Sequence, residues 1–153
     1  MSDDPLLVFV CQHNACRSAI AEVIAAAEAQ RRGLSVQVAS AGTHALFGYG
    51  AASIAQATIS EIGLSLEHHR SQPAHPELIA RATLVVTMTD AQRDLLHAAF
   101  RAQREKVMSF NDVTGLGDVF DPIGGDAAEV RAVRDRLQAS MPAIFEALEN
   151  VEQ

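Results

Sequence analysis

Cysteine is scarce in this chain of 153 residues: Cys11 and Cys16 are the only two. They are too few for a disulfide framework, and no other ligands stand around them at zinc spacing. Positive charge is also in short supply. Twelve Lys and Arg face nineteen Asp and Glu, a formal net charge of −7, which argues against a nucleic-acid partner because a phosphate backbone demands a basic surface. Any anion site must therefore be made locally, from backbone dipoles and a few cations. Long hydrophobic runs are missing too. The longest strictly apolar run, Leu6 to Cys11, is far too short to span a bilayer. Asp3 and Asp4 occupy the place where a signal peptide would carry positive charge. A cytoplasmic location is expected, with no membrane partner. No repeat, linker or low-complexity block divides the sequence, so residues 1–153 read as a single domain.

What is present is an ordinary globular composition, 48% hydrophobic and 20% charged, in a chain long enough to bury a core without staples. Strand-like runs alternate with helical patterns. Leu6–Val10 reads as a buried strand, followed by an alanine-rich helix from Ser18 to about Arg32, with Ile20, Val23, Ile24 and Ala27 inward and Gly33 as its stop. Leu34–Ala39 is the expected second strand, and a helix is expected over about Ala51–Ile62. Thr83–Thr87 is the third strand. Asp90 is expected to cap a helix carrying Leu95, Leu96 and Ala99 inward, and Lys106–Phe110 is a short fourth strand. Val130, Val133, Leu137, Met141, Ile144 and Leu148 mark a long closing helix in which Pro142 predicts a kink. Buried strands separated by helices mean a central four-stranded parallel sheet in a three-layer α/β/α domain. Ligands in such folds bind at the carboxyl ends of strands, where Cys11 falls.

Residues 11–18 read Cys11-Gln12-His13-Asn14-Ala15-Cys16-Arg17-Ser18, at a strand-to-helix junction. Successive backbone N–H groups there can wrap phosphoryl oxygens, and the helix adds the positive end of its dipole. Arg17 can close the ring as a planar two-pronged donor. The same field favours a thiolate at Cys11, beneath the bound phosphorus. Cys16 reads equally as a buried small hydrophobe. Phosphoester cleavage also needs an acid to protonate the leaving atom. Asp121, held extended by Pro122 and followed by Gly124 and Gly125, is preferred over Asp118, which reads as a solvated loop charge. Asp126 reads as the N-cap of the last helix. His44, His75 and His97 read as surface residues.

These motifs resemble the low-molecular-weight protein tyrosine phosphatases, a family that also contains bacterial protein-arginine phosphatases. The family's loop is Cys-x-Gly-Asn-x-Cys-Arg-Ser, and its acid lies in a late Asp-Pro loop. Ser40-Ala41-Gly42-Thr43, Gly63 through His68, and Val86-Thr87-Met88-Thr89 also have counterparts, so the likeness runs nearly end to end. It implies that fold, with Cys11 as nucleophile, Arg17 as phosphate ligand, Asp121 as general acid, and residues Gln12 to Cys16 with Ser18 lining the phosphate. It implies that Cys16 can pair with Cys11 under oxidation. Asn14, Ser18, Ser40 and His68 match a hydrogen-bonded set that supports the loop. The expected substrates are phosphotyrosine or phosphoarginine in proteins, with phosphate and other oxyanions as inhibitors, and with neither metal nor cofactor.

Three departures stand out: His13 replaces a glycine in a tight turn, Ala19 replaces a first-turn proline, and Ile123 and Gly124 stand where tyrosine phosphatases carry aromatic residues. Ala15 takes the position of a threonine that arginine phosphatases use in selection. The family's arsenate reductases relay a disulfide through later cysteines, and this chain has none after Cys16. A phosphate-binding module without turnover would need neither Cys11 nor the Asp-Pro loop.

Overall fold

The computed structural model describes residues 3–122 and 124–153. Strand β1 (Leu6–Cys11) is buried along its whole length, because both of its edges are paired and helices pack on both faces of the sheet. It lies between β2 (Gln37–Gly42) and β3 (Leu84–Thr87), and β4 (Val107–Ser109) flanks β3, giving the order β2-β1-β3-β4 with every pairing parallel. The expected four-stranded α/β sheet is present.

The period-two alternation of β1 divides the core into two layers. Leu7, Phe9 and Cys11 pack with Ile20 and Ile24 of α1 (Arg17–Arg32), Ile59 of α2 (Ser53–Ser60), Phe110 of α5 (Phe110–Thr114) and Leu137, Met141 and Ile144 of α6 (Ala127–Glu152). Leu6, Val8 and Val10 face the other way, onto Leu78 and Ile79 of α3 (Pro76–Arg81) and Leu96 of α4 (Asp90–Ala99). Gly33, left-handed at φ 69, ends α1 with its N–H on the carbonyls of Ala29 and Gln30. Asp126 caps α6 as expected, accepting from Glu129 N at 3.0 Å. The helix continues through Pro142 as one element.

Several boundaries differ from the sequence expectation. β2 starts three residues later than Leu34. Pairing opens where Leu6 meets Gln37, and Leu34 is left 40% exposed. The small residues Ala39 to Gly42 run beside Val8 to Cys11, and hydrophobicity alone underrates so small-residued a strand. α4 is capped by Thr89, not Asp90: Thr89 and Gln92 form a reciprocal capping box, and Asp90 is the first helical residue. Leu96 alone of its expected inward residues is buried; Leu95 and Ala99 are exposed. Lys106 lies outside β4, its Nζ donating to the carbonyls of Ala80 and Ala82 at the end of α3. Helix α3 was not anticipated, although His75 caps it and Pro76 opens it.

Candidate active site

The loop from Cys11 to Arg17 leaves β1 at its carboxyl end and turns directly into α1. Its carbonyls are tied away from its own interior. Cys11 O and Gln12 O accept from the N–H groups of Thr43 and His44 at 2.9 and 2.8 Å, Ala15 O from Ala52 N at 2.9 Å, and Cys16 O from Ile20 N at 2.8 Å. Asn14 O bonds His69 Nε2 at 2.7 Å. Each peptide plane holds its N–H opposite its C=O, so these outward ties turn the following N–H groups inward. The result is a concave row of donors at a helix N-terminus, a site for an anion.

Asn14 is the hinge of this turn. It is the only non-glycine residue at positive φ among the described residues, at φ 56, a conformation costing on the order of 1 kcal/mol for a side-chain-bearing residue. Its side chain offsets that cost. Nδ2 donates to Ser18 Oγ at 2.8 Å and Ser40 Oγ at 2.9 Å, while Oδ1 accepts from Gln72 N at 3.0 Å. Ser40 Oγ in turn donates to Glu22 Oε1. His13, which replaces a glycine, is not the left-handed residue of the turn; its neighbour Asn14 is. His13 is exposed and lines the pocket mouth with Ala15.

Cys11 Sγ sits at the floor, 3% exposed. It accepts from Asn14 N at 3.3 Å and lies 2.9 Å from Ser18 Oγ. Ser18 Oγ accepts from Asn14 Nδ2, and its one proton has two acceptors within reach, the Cys11 sulfur and Ala41 O at 3.3 Å. Cys16 is buried in the same pocket, and its thiol is pushed up to about 12, by desolvation first and then by the charges of Cys11 and Asp121, with Arg17 opposing. It is a neutral thiol at physiological pH.

Arg17, 4% exposed, donates from Nη1 to Val119 O at 2.9 Å, and its Nη2 stands 3.7 Å from Asp121 Oδ2. Cys11, His13, Ala15, Cys16, Arg17 and Asp121 line one pocket. Gln12 is exposed beside it. The expectation for Ile123 lies outside the described residues, while Gly124 turns at φ 84.

Two readings need correction. His69, not His68, supports the loop: its Nε2 meets Asn14 O, whereas His68 is exposed. Adjacent residues in a turn point in different directions, and sequence position alone could not choose between them. Asp118 is not a solvated charge, since its Oδ1 accepts from Asp90 N at 2.9 Å, at the start of α4. His75 and His97 are likewise structural, one capping α3 and the other bonding Val107 O at 2.9 Å.

Sequence reasoning placed Gly42 in a stretch with family counterparts but gave it no role, and it missed Gln72. A Cβ at Gly42 would stand 2.5 Å from Gln12 O and 3.0 Å from Asn14 N, so only glycine lets β2 approach the turn this closely. Gln72 adds Nε2 to Ser40 O at 3.0 Å. Neither carries a local signal, because both act through a fold contact distant in sequence.

Known proteins resemble this chain along most of its length. A protein-arginine-phosphatase of Bacillus subtilis is 37% identical over 86% of this chain and 89% of its own. The low-molecular-weight protein-tyrosine-phosphatase Wzb of Salmonella typhi is 33% identical over 96% of this chain and 95% of its own. The structure of the YwlE arginine phosphatase with a phosphorylated active-site serine superposes with a TM-score of 0.89 at 34% identity, covering 94% and 95% of the two chains. The model of the low molecular weight phosphotyrosine protein phosphatases matches residues 6–153, and the chain belongs to that family.

Proposed function

We propose that this chain is a cysteine-dependent protein phosphatase that moves a phosphoryl group from a phosphotyrosine or phosphoarginine side chain to Cys11 and then to water. The observation that carries the reading is one pocket lined by Cys11, Arg17 and Asp121 at the start of α1, with Asn14 N donating to the Cys11 sulfur at 3.3 Å. In the first step Cys11 Sγ attacks phosphorus, an S–P bond forms, and the P–O or P–N bond breaks. The loop N–H groups and Arg17 hold the equatorial oxygens as charge shifts onto them. Asp121 gives its proton to the leaving oxygen or nitrogen. In the second step water attacks phosphocysteine, Asp121 takes its proton, and the S–P bond breaks to return the thiolate and release phosphate. Ser18 Oγ, 2.9 Å from the sulfur, stabilises the departing thiolate with a hydrogen bond.

Relatives named for phosphoarginine support one substrate class and relatives named for phosphotyrosine the other. On the structural side, Ala15 leaves the pocket wall small, and Phe120, beside Asp121, is 79% exposed. An exposed aromatic at that edge suits a flat substrate group, either a phenyl ring or a guanidinium. The YwlE structure is named as that of a cysteine-to-serine mutant with a phosphorylated active-site serine, which supports a covalent route. Cys11 must stay reduced to act, which supports a cytoplasmic setting. Among the described residues no helix is long and apolar enough to cross a membrane. The test is parallel turnover of matched phosphotyrosine and phosphoarginine peptides, with Cys11→Ser as control. Release of phosphate from at least one class, lost in the variant, supports the reading. Turnover of neither contradicts it.

A further inference from the structure

The strap of backbone leading to Asp121 is held by arginine side chains. Arg136 on α6 donates from Nη1 to Asp118 O at 2.5 Å, and from Nη2 to Leu116 O and, at 3.3 Å, to Gly117 O. The next carbonyl, that of Val119, accepts from Arg17 Nη1 at 2.9 Å. Consecutive carbonyls from residue 116 to 119 are therefore bound by two guanidiniums, one of which belongs to the phosphate site. The other has a fixed seat: the Arg136 guanidinium carbon lies 4.9 Å from the centroid of the Phe110 ring, itself fully buried.

The strap needs such a hold. Gly115 and Gly117 sit at φ 72 and 82, positions of high backbone freedom, and both Leu116 and Phe120 are exposed. Side-chain packing fixes only Val119, which is fully buried with its N–H on Met88 O at 2.9 Å. Asn111 Oδ1 accepts from Gly117 N at 2.9 Å and Asp118 Oδ1 from Asp90 N. The carbonyl side is left to Arg136. Arg136 is not among the residues lining the Cys11 pocket, so it has no direct reach to a bound phosphoryl group.

We propose that Arg136 is a positioning residue for proton transfer: by gathering the carbonyls of residues 116–118 it fixes the strap from which Asp121 reaches the leaving group. The proposal rests on the reading of Asp121 as general acid given above. A planar fork is required, since several carbonyls are bound from two nitrogens while the face stacks on a ring; an ammonium offers a single point of charge.

The test is a series of aryl phosphates of graded leaving-group pKa, followed in single turnover for the wild type, Arg136→Met, Arg136→Lys and Asp121→Asn. Methionine keeps the apolar cover on Phe110 and removes every donor. For Arg136→Met we expect a rate loss of roughly 10- to 100-fold on poor leaving groups, the scale of a displaced catalytic group. On good leaving groups it should stay within about 3-fold of wild type, because those depart without a proton. Arg136→Lys should fall between, and inhibition by inorganic phosphate should be unchanged in both. The slope is internal to each variant, so an unfolded fraction, which lowers all rates equally, does not mimic it. A uniform loss across the series, or none, with a steep slope retained in Asp121→Asn, overturns the Arg136 proposal alone. A flat slope in Asp121→Asn overturns the acid assignment, and the Arg136 proposal falls with it.

Discussion

Arg17 Nη2 lies 3.7 Å from Asp121 Oδ2, with the guanidinium buried and the carboxylate one-third exposed. One side chain thus links the anion cradle to the Asp-Pro turn, and its other nitrogen binds Val119 O two residues earlier. A pair held this way is not a stability device. A partly exposed ion pair at that distance contributes little.

Asp121→Asn is expected to slow the chemical step by roughly 10²–10⁴-fold, the usual contribution of a positioned acid. The loss should shrink for leaving groups that need no proton. Asp118→Asn should cost little and uniformly, because asparagine keeps an acceptor oxygen for Asp90 N. A leaving-group series on both variants checks this. Leaving-group dependence in Asp118→Asn but not in Asp121→Asn would show that the acid is misassigned.

Asn14 separates strain from hydrogen bonding. Asn14→Gly and Asn14→Ala both lose the bonds to Ser18, Ser40 and Gln72 N, and each should destabilise by about 2–4 kcal/mol. Alanine must also hold φ 56, so it should be the worse by about 1 kcal/mol. Urea unfolding of the pair measures the difference. Equal stabilities would mean that the turn relaxes out of the left-handed region.

Much of this was readable in advance where residues act locally. The strand-loop-helix order around Cys11, the Gly33 stop and the Asp126 cap each depend on a few neighbouring residues, and each stands where the sequence put it. Contacts distant in sequence were not readable. Gly42 is required by the approach of Gln12 and Asn14 across the sheet edge. His69 is selected over His68 by the direction of a loop more than fifty residues downstream of Asn14. Asp118 looked idle because its partner, Asp90 N, belongs to another element. β2 was misplaced because its buried residues are small, and pairing, not hydrophobicity, sets its register.

Cys16, a neutral thiol whose pKa is raised first by burial, should resist alkylation at neutral pH in the Cys11→Ser variant, where burial remains although the Cys11 charge is gone, and should gain reactivity only at alkaline pH. In the wild type, peroxide should inactivate reversibly through a Cys11–Cys16 disulfide. Recovery by reductant should be poorer in Cys16→Ser, whose Cys11 is driven further up the oxidation ladder. Equal recovery in both proteins would show that Cys16 offers no protection.

Glu61 ties α2 to α6 through Arg131 and Arg134, and hydrogen bonds from those two hold its carboxyl down, at about 2. A lowered folded-state pKa adds stability above the ordinary glutamate value, lost as pH falls toward 2. The melting temperature of wild type should exceed that of Glu61→Gln at neutral pH, and the gap should close on acidification below about 4. A gap that does not change with pH would assign the effect to packing. Glu61 and Arg131 are exposed, although Arg134 is buried, so the gap should be small and should narrow in salt.

The account depends most on the covalent role of Cys11. Rapid-quench mass spectrometry during turnover of an aryl phosphate tests it directly, with Cys11→Ser assayed alongside for phosphate release. The predicted result is a phosphoryl group on Cys11 in the wild type, formed and discharged at rates compatible with turnover, together with loss of phosphate release in the variant while vanadate still binds. Near-normal turnover by Cys11→Ser, or turnover in the wild type with phosphate never found on Cys11 during the pre-steady-state phase, would contradict it.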